Sequence, residues 1–443
     1  MWEPAYQFVD DWHYNERHTP DKILLGSHEG RLLGRADDRH IVTIAGSRAG
    51  KSRSVLIPNL KRYPGSVVVI DPKGELALET ATMREKMGHN VFILNPFRVM
   101  EWDTDGHDPC VELINSPKDN MPADAAQLAD ALIIDNEKSP HWTDSAKNLI
   151  VGLLLHAISA DPSGPSMKTL RRQISRTNEL HDLLEAMALN DAFDGGVQNI
   201  ALSFLGKFQH GGIPTEEMLS ILSTADAQTR RLDDLENVFA KQDVDLNGLS
   251  SSETPTTIYL ILPAMRIATH ARWLRVFIYQ LLAALERKPM KGLPLLLILE
   301  EFAALGHMKS VEAAAGYFAG FGVKLWTVLQ DLTQIQTHYP KSWETFLGNA
   351  GVIQTFGNMD VTTTRYLSSL LGDTTVVEQQ KNFASSSQFA QGDDGIRENI
   401  RSVPLLTPSE IRYFFARETG RQLLITPEYL PLFIDRLPND DRI

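Results

Sequence analysis

The chain has 443 residues, 43% of them hydrophobic and 22% charged, with a formal net charge of −13 and one cysteine. That length predicts about two to three folding units around a large core, and the composition excludes the disordered and fibrous classes. The acidic balance excludes a basic footprint over the whole molecule, so any nucleic-acid contact is local, and Cys110 alone allows no internal disulfide or multi-cysteine metal site, which fits a reducing compartment.

The opening, MWEPAYQFVDDW, is acidic and lacks the charge pattern of a signal peptide. The most apolar runs, NLIVGLLLHAI from Asn148 and LPLLLILEEF from Leu293, fall short of the ~20 residues that span a bilayer. A cytoplasmic protein is expected.

The first clear strand is the β-branched run IVTI, which leads into AGSRAGKSRSVLIPNL, Ala45 to Leu60. SVVVIDPKGE, the helical ETATMREKMGH and NVFILNPF follow, and this βαβαβ spacing predicts parallel strands. From 98 to 250 strand patterns vanish. Ala125, Leu128, Ala129, Leu132 and Ile133 recur at helical spacing, as do Leu180, Leu183, Leu184 and Met187. Asn148 to Ile158 is apolar on nearly every face and reads as a central buried helix. Strand and helix then alternate again through TTIYLILP, HARWLRVFIYQLLAALE, LPLLLILEEF, a helix through AAAGYFAG, VKLWTVLQ and GVIQTFG. Ala384 to Asn399, ASSSQFAQGDDGIREN, reads as a long exposed loop.

Ala45 to Ser52 fits the P-loop pattern: a Gly-rich turn after a strand, closing on Gly-Lys-Ser at the start of a helix. Backbone amides of Gly46, Ser47, Arg48, Ala49 and Gly50 would surround the β-phosphate, and Gly50 permits close approach because it has no Cβ. Lys51 would neutralise the β- and γ-phosphates, Ser52 would hold Mg²⁺, and Arg53 completes the binding segment. The first position is Ala45 where Gly is usual.

LPLLLILEEF supplies a second motif, an apolar strand ending in paired acids, the Walker B position. Glu300 would orient Mg²⁺ through its water shell, and Glu301 would polarise the water that attacks the γ-phosphate. Glu300 stands where Asp is usual, and its extra methylene leaves slow or absent hydrolysis open. Gln330, ending VKLWTVLQ, is placed to sense the γ-phosphate, or simply terminates its strand. Asp71, Lys73 and Glu75 sit at another strand end, where a charged turn around Pro72 and Gly74 accounts for them equally well. HDPC, His107 to Cys110, is too sparse for a site.

In order, GSRAGKS with IPNL, VVVIDPKGELALET, VFILNPF, LLLILEEFAALGHM, TVLQDLTQIQ, FGNMDVTTTRYLSSLLGDTTV and PLLTPSEIR make a series. It resembles the coupling proteins of type IV secretion and conjugation over most of the chain. The resemblance implies an α/β, RecA-like P-loop NTPase with a mostly parallel central sheet and an inserted all-α domain. Residues 1–97 and 251–443 would form the two parts of the nucleotide-binding domain, and 98–250 the substrate-recognising insertion. It further implies ATP and Mg²⁺ as cofactors, and a homo-hexamer when active, with a monomer in isolation. The partners implied are DNA, single-stranded or bound to a relaxase, secreted proteins, and inner-membrane components of the secretion system at the cytoplasmic face. Arg365 and Arg266 are candidates for an arginine supplied to a neighbouring subunit, with a surface or salt-bridging role as the alternative.

Family members typically begin with membrane-spanning helices, and no such helix is visible here. Two expectations follow: a chain starting after them, or a soluble variant recruited by other means, preferred because Met1 opens an acidic segment with its own aromatics. The leading expectation is an ATPase that passes transfer substrates to a secretion channel. The alternatives are a hydrolysis-poor docking adaptor and a soluble DNA translocase unrelated to secretion.

Overall fold

The computed structural model describes residues 8–135, 140–160, 164–308, 311–312, 318–381 and 396–438. They form two compact units, one of Met1–Arg62 with Val328–Ile443, the other of Tyr63–Thr327. Strands are numbered along the chain.

The first unit contains β1 (Ile23–His28), β2 (Arg31–Arg35) and β3 (His40–Ala45). The second contributes β4 (Val67–Ile70), β5 (Asn90–Leu94), the short β6 (Phe208–Gln209) and β7 (Ile213–Pro214), β8 (Thr256–Leu260), β9 (Leu295–Glu300) and most of β10 (Val323–Leu329). The chain then returns to the first unit with β11 (Ala350–Phe356), β12 (Asp373–Lys381), β13 (Ile396–Pro404), β14 (Arg421–Ile425) and β15 (Leu432–Asp435).

In the first unit the strand order is β2-β1-β15-β14-β11-β3. β3 and β11 are parallel, with Ile353 opposite Val42, and both are buried along their whole length, which is why they read as continuous apolar runs. The other pairs are antiparallel. β1 and β2 close through Glu29 and Gly30, both at positive φ, the two-residue turn that matches strand twist. A buried amide cluster joins these strands. Thr43 donates to Gln354 at 3.0 Å, Gln354 to Gln422 at 2.6 Å, and Gln422 to the Leu25 carbonyl at 2.8 Å. Each of these polar groups is satisfied, so the cluster fixes register at no desolvation cost left unpaired.

In the second unit β9, β4, β8 and β5 are consecutive parallel neighbours, with Val67 opposite both Leu296 and Thr257. The helix Glu75–Lys86 follows β4, and the long amphipathic helix Ala264–Arg287 buries Trp273, Phe277, Leu281 and Leu285. Arg84, fully buried, donates to Thr257 Oγ1 at 2.9 Å and the Gly65 carbonyl at 2.8 Å, and burial pulls its pKa down to about 10.

Between β5 and β8 the chain is helical, as the periodicity predicts. Ala125, Leu128, Ala129, Leu132 and Ile133 are buried, and Pro140–Ala160 buries Leu149, Ile150, Leu153, Leu154 and Leu155. The exception is the β6–β7 ladder, two residues a side, closed by Gly211 and Gly212 at positive φ, too short to leave an alternating pattern.

One expectation is corrected at the far end. The loop read at Ala384 to Asn399 lies outside the described residues up to 395, but from 396 the backbone is strand β13, paired with β12 over nine residue pairs. Exposed strands carry no apolar alternation, so their polar sequence resembles a loop. Of the helix read through AAAGYFAG, 313–317 lie outside the described residues and Phe318–Phe321 is a 3₁₀ turn.

Candidate functional site

In the first unit β3 ends on Ala45, and the chain turns through Gly46 to Lys51 into a helix. Its first stretch, Ser52–Leu56, is π-wound, with the Ile57 amide bonded to the Ser52 carbonyl, and its second, Ile57–Leu60, is α. π turns are rare and concentrate at functional positions. Asn59 fastens this helix to β1 by exchanging two 2.8 Å hydrogen bonds with the Leu24 backbone.

The turn has no room to spare. A Cβ on Gly46 would meet the Gly357 carbonyl oxygen at 2.1 Å, and one on Gly357 would meet the Ala49 methyl at 2.7 Å. Arg48, Gly50 and Gly357 adopt positive φ, at 56°, 96° and 66°. Ala45 belongs to the strand, and the position that excludes a side chain is Gly46, which explains why Ala is accepted one residue earlier. Lys51, 9% exposed, donates from Nζ to the Ala45 carbonyl at 2.8 Å and the Gly46 carbonyl at 3.5 Å, so its ammonium lies within the turn. Ser47, Arg48 and Arg53 are exposed and Ser52 is half-buried.

Gln330 is connected to this turn through its backbone. Its carbonyl accepts from Asn358 Nδ2 at 3.5 Å, Asn358 Oδ1 accepts from Thr355 Oγ1 at 2.6 Å, and Gly357 lies between Thr355 and Asn358 at the end of β11. Arg436, following β15, donates from Nη1 to the Ala49 carbonyl at 2.5 Å and stacks 4.8 Å from the Phe356 ring centre. Gly357, Asn358 and Arg436 are not among the site residues expected from the sequence. A glycine just after the buried strand GVIQTF was the one local hint, since a strand end that packs against another backbone favours it.

In the second unit β9 is buried throughout and ends on Glu300, 7% exposed. Glu301 takes a left-handed backbone, φ 58° and ψ 41°, and opens the 3₁₀ turn Phe302–Leu305 without capping it by its side chain. That conformation costs a residue with a Cβ about 1–2 kcal/mol, and strain of this kind gathers where a side chain must be aimed. The carbonyl of His307 in the same loop accepts from Arg275 Nη1 at 2.5 Å, which anchors the loop to the Ala264–Arg287 helix.

Asp71 directly follows the neighbouring strand β4, and continuing the register places it beside Glu300, since Ile70 is opposite Leu299. It is fully buried, and burial pushes its pKa up to about 6 against the amides that hold it. Its Oδ2 accepts from the Ala77 amide at 2.9 Å, within the Glu75–Lys86 helix that starts after Gly74. Asp71 therefore serves the helix start, and Lys73 is exposed. Arg266 and Arg365 are exposed, and Arg266 lies 4.3 Å over the Phe97 ring. In HDPC, Asp108 accepts from the Cys110 amide at 2.8 Å and the Met167 amide at 2.9 Å, while His107 and Cys110 are buried, so that stretch is structural.

The donor set of the turn suits a polyphosphate: backbone amides at a helix start, no side chain at Gly46 and Gly50, and an ammonium within the loop. Ser52, at the start of the helix that follows the turn, carries a hydroxyl, a hard oxygen donor of the kind Mg²⁺ prefers.

A family model described as Type IV secretory system Conjugative DNA transfer matches residues 9–437. Protein VirD4 of Rhizobium rhizogenes is 25% identical over 398 residues, which cover 86% of this chain and 56% of that protein. Conjugal transfer protein TraG of Escherichia coli is 27% identical over 411 residues, covering 85% and 62%. The chain thus spans little more than half the length of these relatives. Among solved structures, the unbound form of the bacterial conjugative coupling protein TrwBdeltaN70 has a TM-score of 0.66 at 15% identity, covering 96% of this chain and 91% of that one. TrwB in complex with the non-hydrolysable ATP analogue ADPNP has a TM-score of 0.64 at 16% identity, covering 96% and 92%. At such identity the likeness shows the fold alone, an α/β architecture around a mostly parallel sheet.

Proposed function

The chain belongs to the type IV secretory system conjugative DNA transfer family, and from that premise we propose that it is an ATP-dependent coupling protein. It recruits DNA–relaxase complexes or protein substrates to a type IV secretion channel and drives their transfer by hydrolysing ATP to ADP and phosphate. The observation that carries this reading is the turn from Gly46 to Lys51, where two backbones approach too closely for any side chain and the lysine ammonium lies within the loop. TrwB, solved with ADPNP and with ADP and Mg²⁺, supports ATP and Mg²⁺ as the ligands.

In this reading the amides of Gly46, Ser47, Arg48, Ala49 and Gly50 hold the phosphates, with Arg53 flanking them, and Lys51 neutralises the β- and γ-phosphates. Ser52 and, through water, Glu300 would hold Mg²⁺, which would supply Lewis acidity when bound. Glu301 accepts the proton of the attacking water, and Gln330 couples the γ-phosphate to the turn at Asn358. Residues 98–250 receive the transfer substrate, and the active form is a homo-hexamer. Among the described residues no helix is long and apolar enough to cross a membrane. Inner-membrane components of the secretion system hold the chain at the cytoplasmic face.

The test is ATP turnover with Mg²⁺ and single-stranded DNA. Lys51→Ala is expected to reduce it to background, and turnover unaffected by that substitution contradicts the proposal. One specific feature, Glu300 at the position where Asp is usual, favours a second reading as a docking adaptor. A wild-type chain that binds ADPNP yet never turns over ATP supports that alternative.

A further inference from the structure

Arg436 is the first residue after β15, where the chain leaves the sheet of the first unit, and several contacts fix it. Its amide donates to the Gly420 carbonyl at 2.7 Å, its Nη1 to Ala49 in the phosphate-binding turn, and its Nη2 to the Arg417 carbonyl. Its guanidinium lies 4.8 Å from the ring centre of Phe356, a fully buried residue next to Gly357. Nη1 is also 3.7 Å from where a Cβ on Gly50 would stand. The cation therefore reaches the turn at the two residues preceding Lys51.

Two features go beyond a packing role. Burial works against the charge of Arg436, as does the nearby Arg417, with the Glu418 carboxylate offsetting part of this; its hydrogen-bond acceptors are main-chain carbonyls. Its Nε is buried without a hydrogen-bond partner. A half-buried cation whose hydrogen bonds go only to main-chain carbonyls is costly, and the fold keeps it beside a turn that already holds the Lys51 ammonium. A polyanion at that turn offsets the cost of both charges.

We infer that Arg436 is a positioning residue for the nucleotide: through the Ala49 carbonyl it braces the phosphate-binding turn, and its charge is balanced by the phosphates of a nucleoside triphosphate. The inference rests on the reading of that turn as a nucleotide site. Arginine suits the task because its planar fork serves two carbonyls while its face stacks on Phe356. The recognised chemistry is the polyphosphate, so the base is immaterial to it.

The experiment compares wild type, Arg436→Met and Arg436→Lys for binding of Mg²⁺·ADPNP and of inorganic tripolyphosphate, for KM and kcat with ATP, and for thermal unfolding without ligand. Arg436→Met keeps the stem against Phe356 and removes the charge. It is expected to weaken both ligands about tenfold or more, with a matching rise in KM and kcat changed less than about threefold. Arg436→Lys, which restores the charge, is expected to recover most of that affinity. If both variants unfold earlier yet bind both ligands within about twofold of wild type where they are folded, Arg436 is a structural brace and the inference is overturned. A wild-type chain that binds neither ligand overturns the reading of the turn, and the inference falls with it.

Discussion

Two acidic strand ends in the second unit, Asp71 after β4 and Glu300–Glu301 at the end of β9, look alike in sequence and lie side by side on parallel strands. They differ in what their side chains do for the fold. Asp71 is directed back into its own chain, where it accepts from the amides of Ala77 and Lys73 and starts the following helix. Glu301 opens its turn with no side-chain cap and carries a left-handed backbone instead. An acid that relieves helix-end amides is part of the architecture, whereas a left-handed backbone at a residue with a Cβ gathers where a side chain must be aimed. Both sit at the carboxyl edge of a parallel sheet, so location alone does not separate them.

Substitution at Glu301 sharpens this contrast most. Glu301→Gln is expected to lower kcat for ATP by roughly 10²–10³-fold, in the range of a lost general base. Thermal stability should change little, because the amide fits the same space. Turnover near the wild-type rate would place Glu301 with Asp71 as a structural acid.

The next effect is one of pH. The folded pKa of Asp71 is raised to about 6 from an ordinary 3.8, so between those values the folded state holds a proton that the unfolded chain has lost. Stability from this group is therefore full below about pH 4 and declines as pH rises to about 6, by an order of 2–3 kcal/mol. Unfolding midpoints measured across that range should show a fall that Asp71→Asn flattens. A slope identical in the two proteins would remove Asp71 from this account.

The smallest effect expected is on activity in the same variant. Asp71→Asn keeps an acceptor for the Ala77 amide, and its ATP turnover at neutral pH should stay within about threefold of wild type. A loss comparable to that of Glu301→Gln would break the contrast by making both strand ends catalytic.

Much of this was legible in the sequence because it is local. β3, β4, β8, β9 and β11 announce themselves as short apolar runs, and the helices between β5 and β8 as apolar series at helical spacing. The segment Gly46 to Ser52 and the pair Glu300–Glu301 follow from residue type and spacing. What stayed hidden depends on contacts distant along the chain. Gly357 matters because its carbonyl occupies the space a Gly46 side chain would need, and Arg436 because it reaches Ala49 from the last strand. The β1–β2 hairpin, with its Glu-Gly turn, and the polar, exposed β12–β13 pair lacked the patterns that mark buried strands. Asp71 and Glu301 could be told apart only by backbone angles and hydrogen bonds, which residue identity does not encode.

The central claim, that the turn from Gly46 to Lys51 holds a nucleoside triphosphate, is tested most directly by calorimetric titration of Mg²⁺·ADPNP into wild type and Lys51→Ala. Saturable binding to wild type, weakened beyond detection in the variant while its fold persists, is the predicted result. Equal binding by the two proteins, or none by wild type, would contradict it.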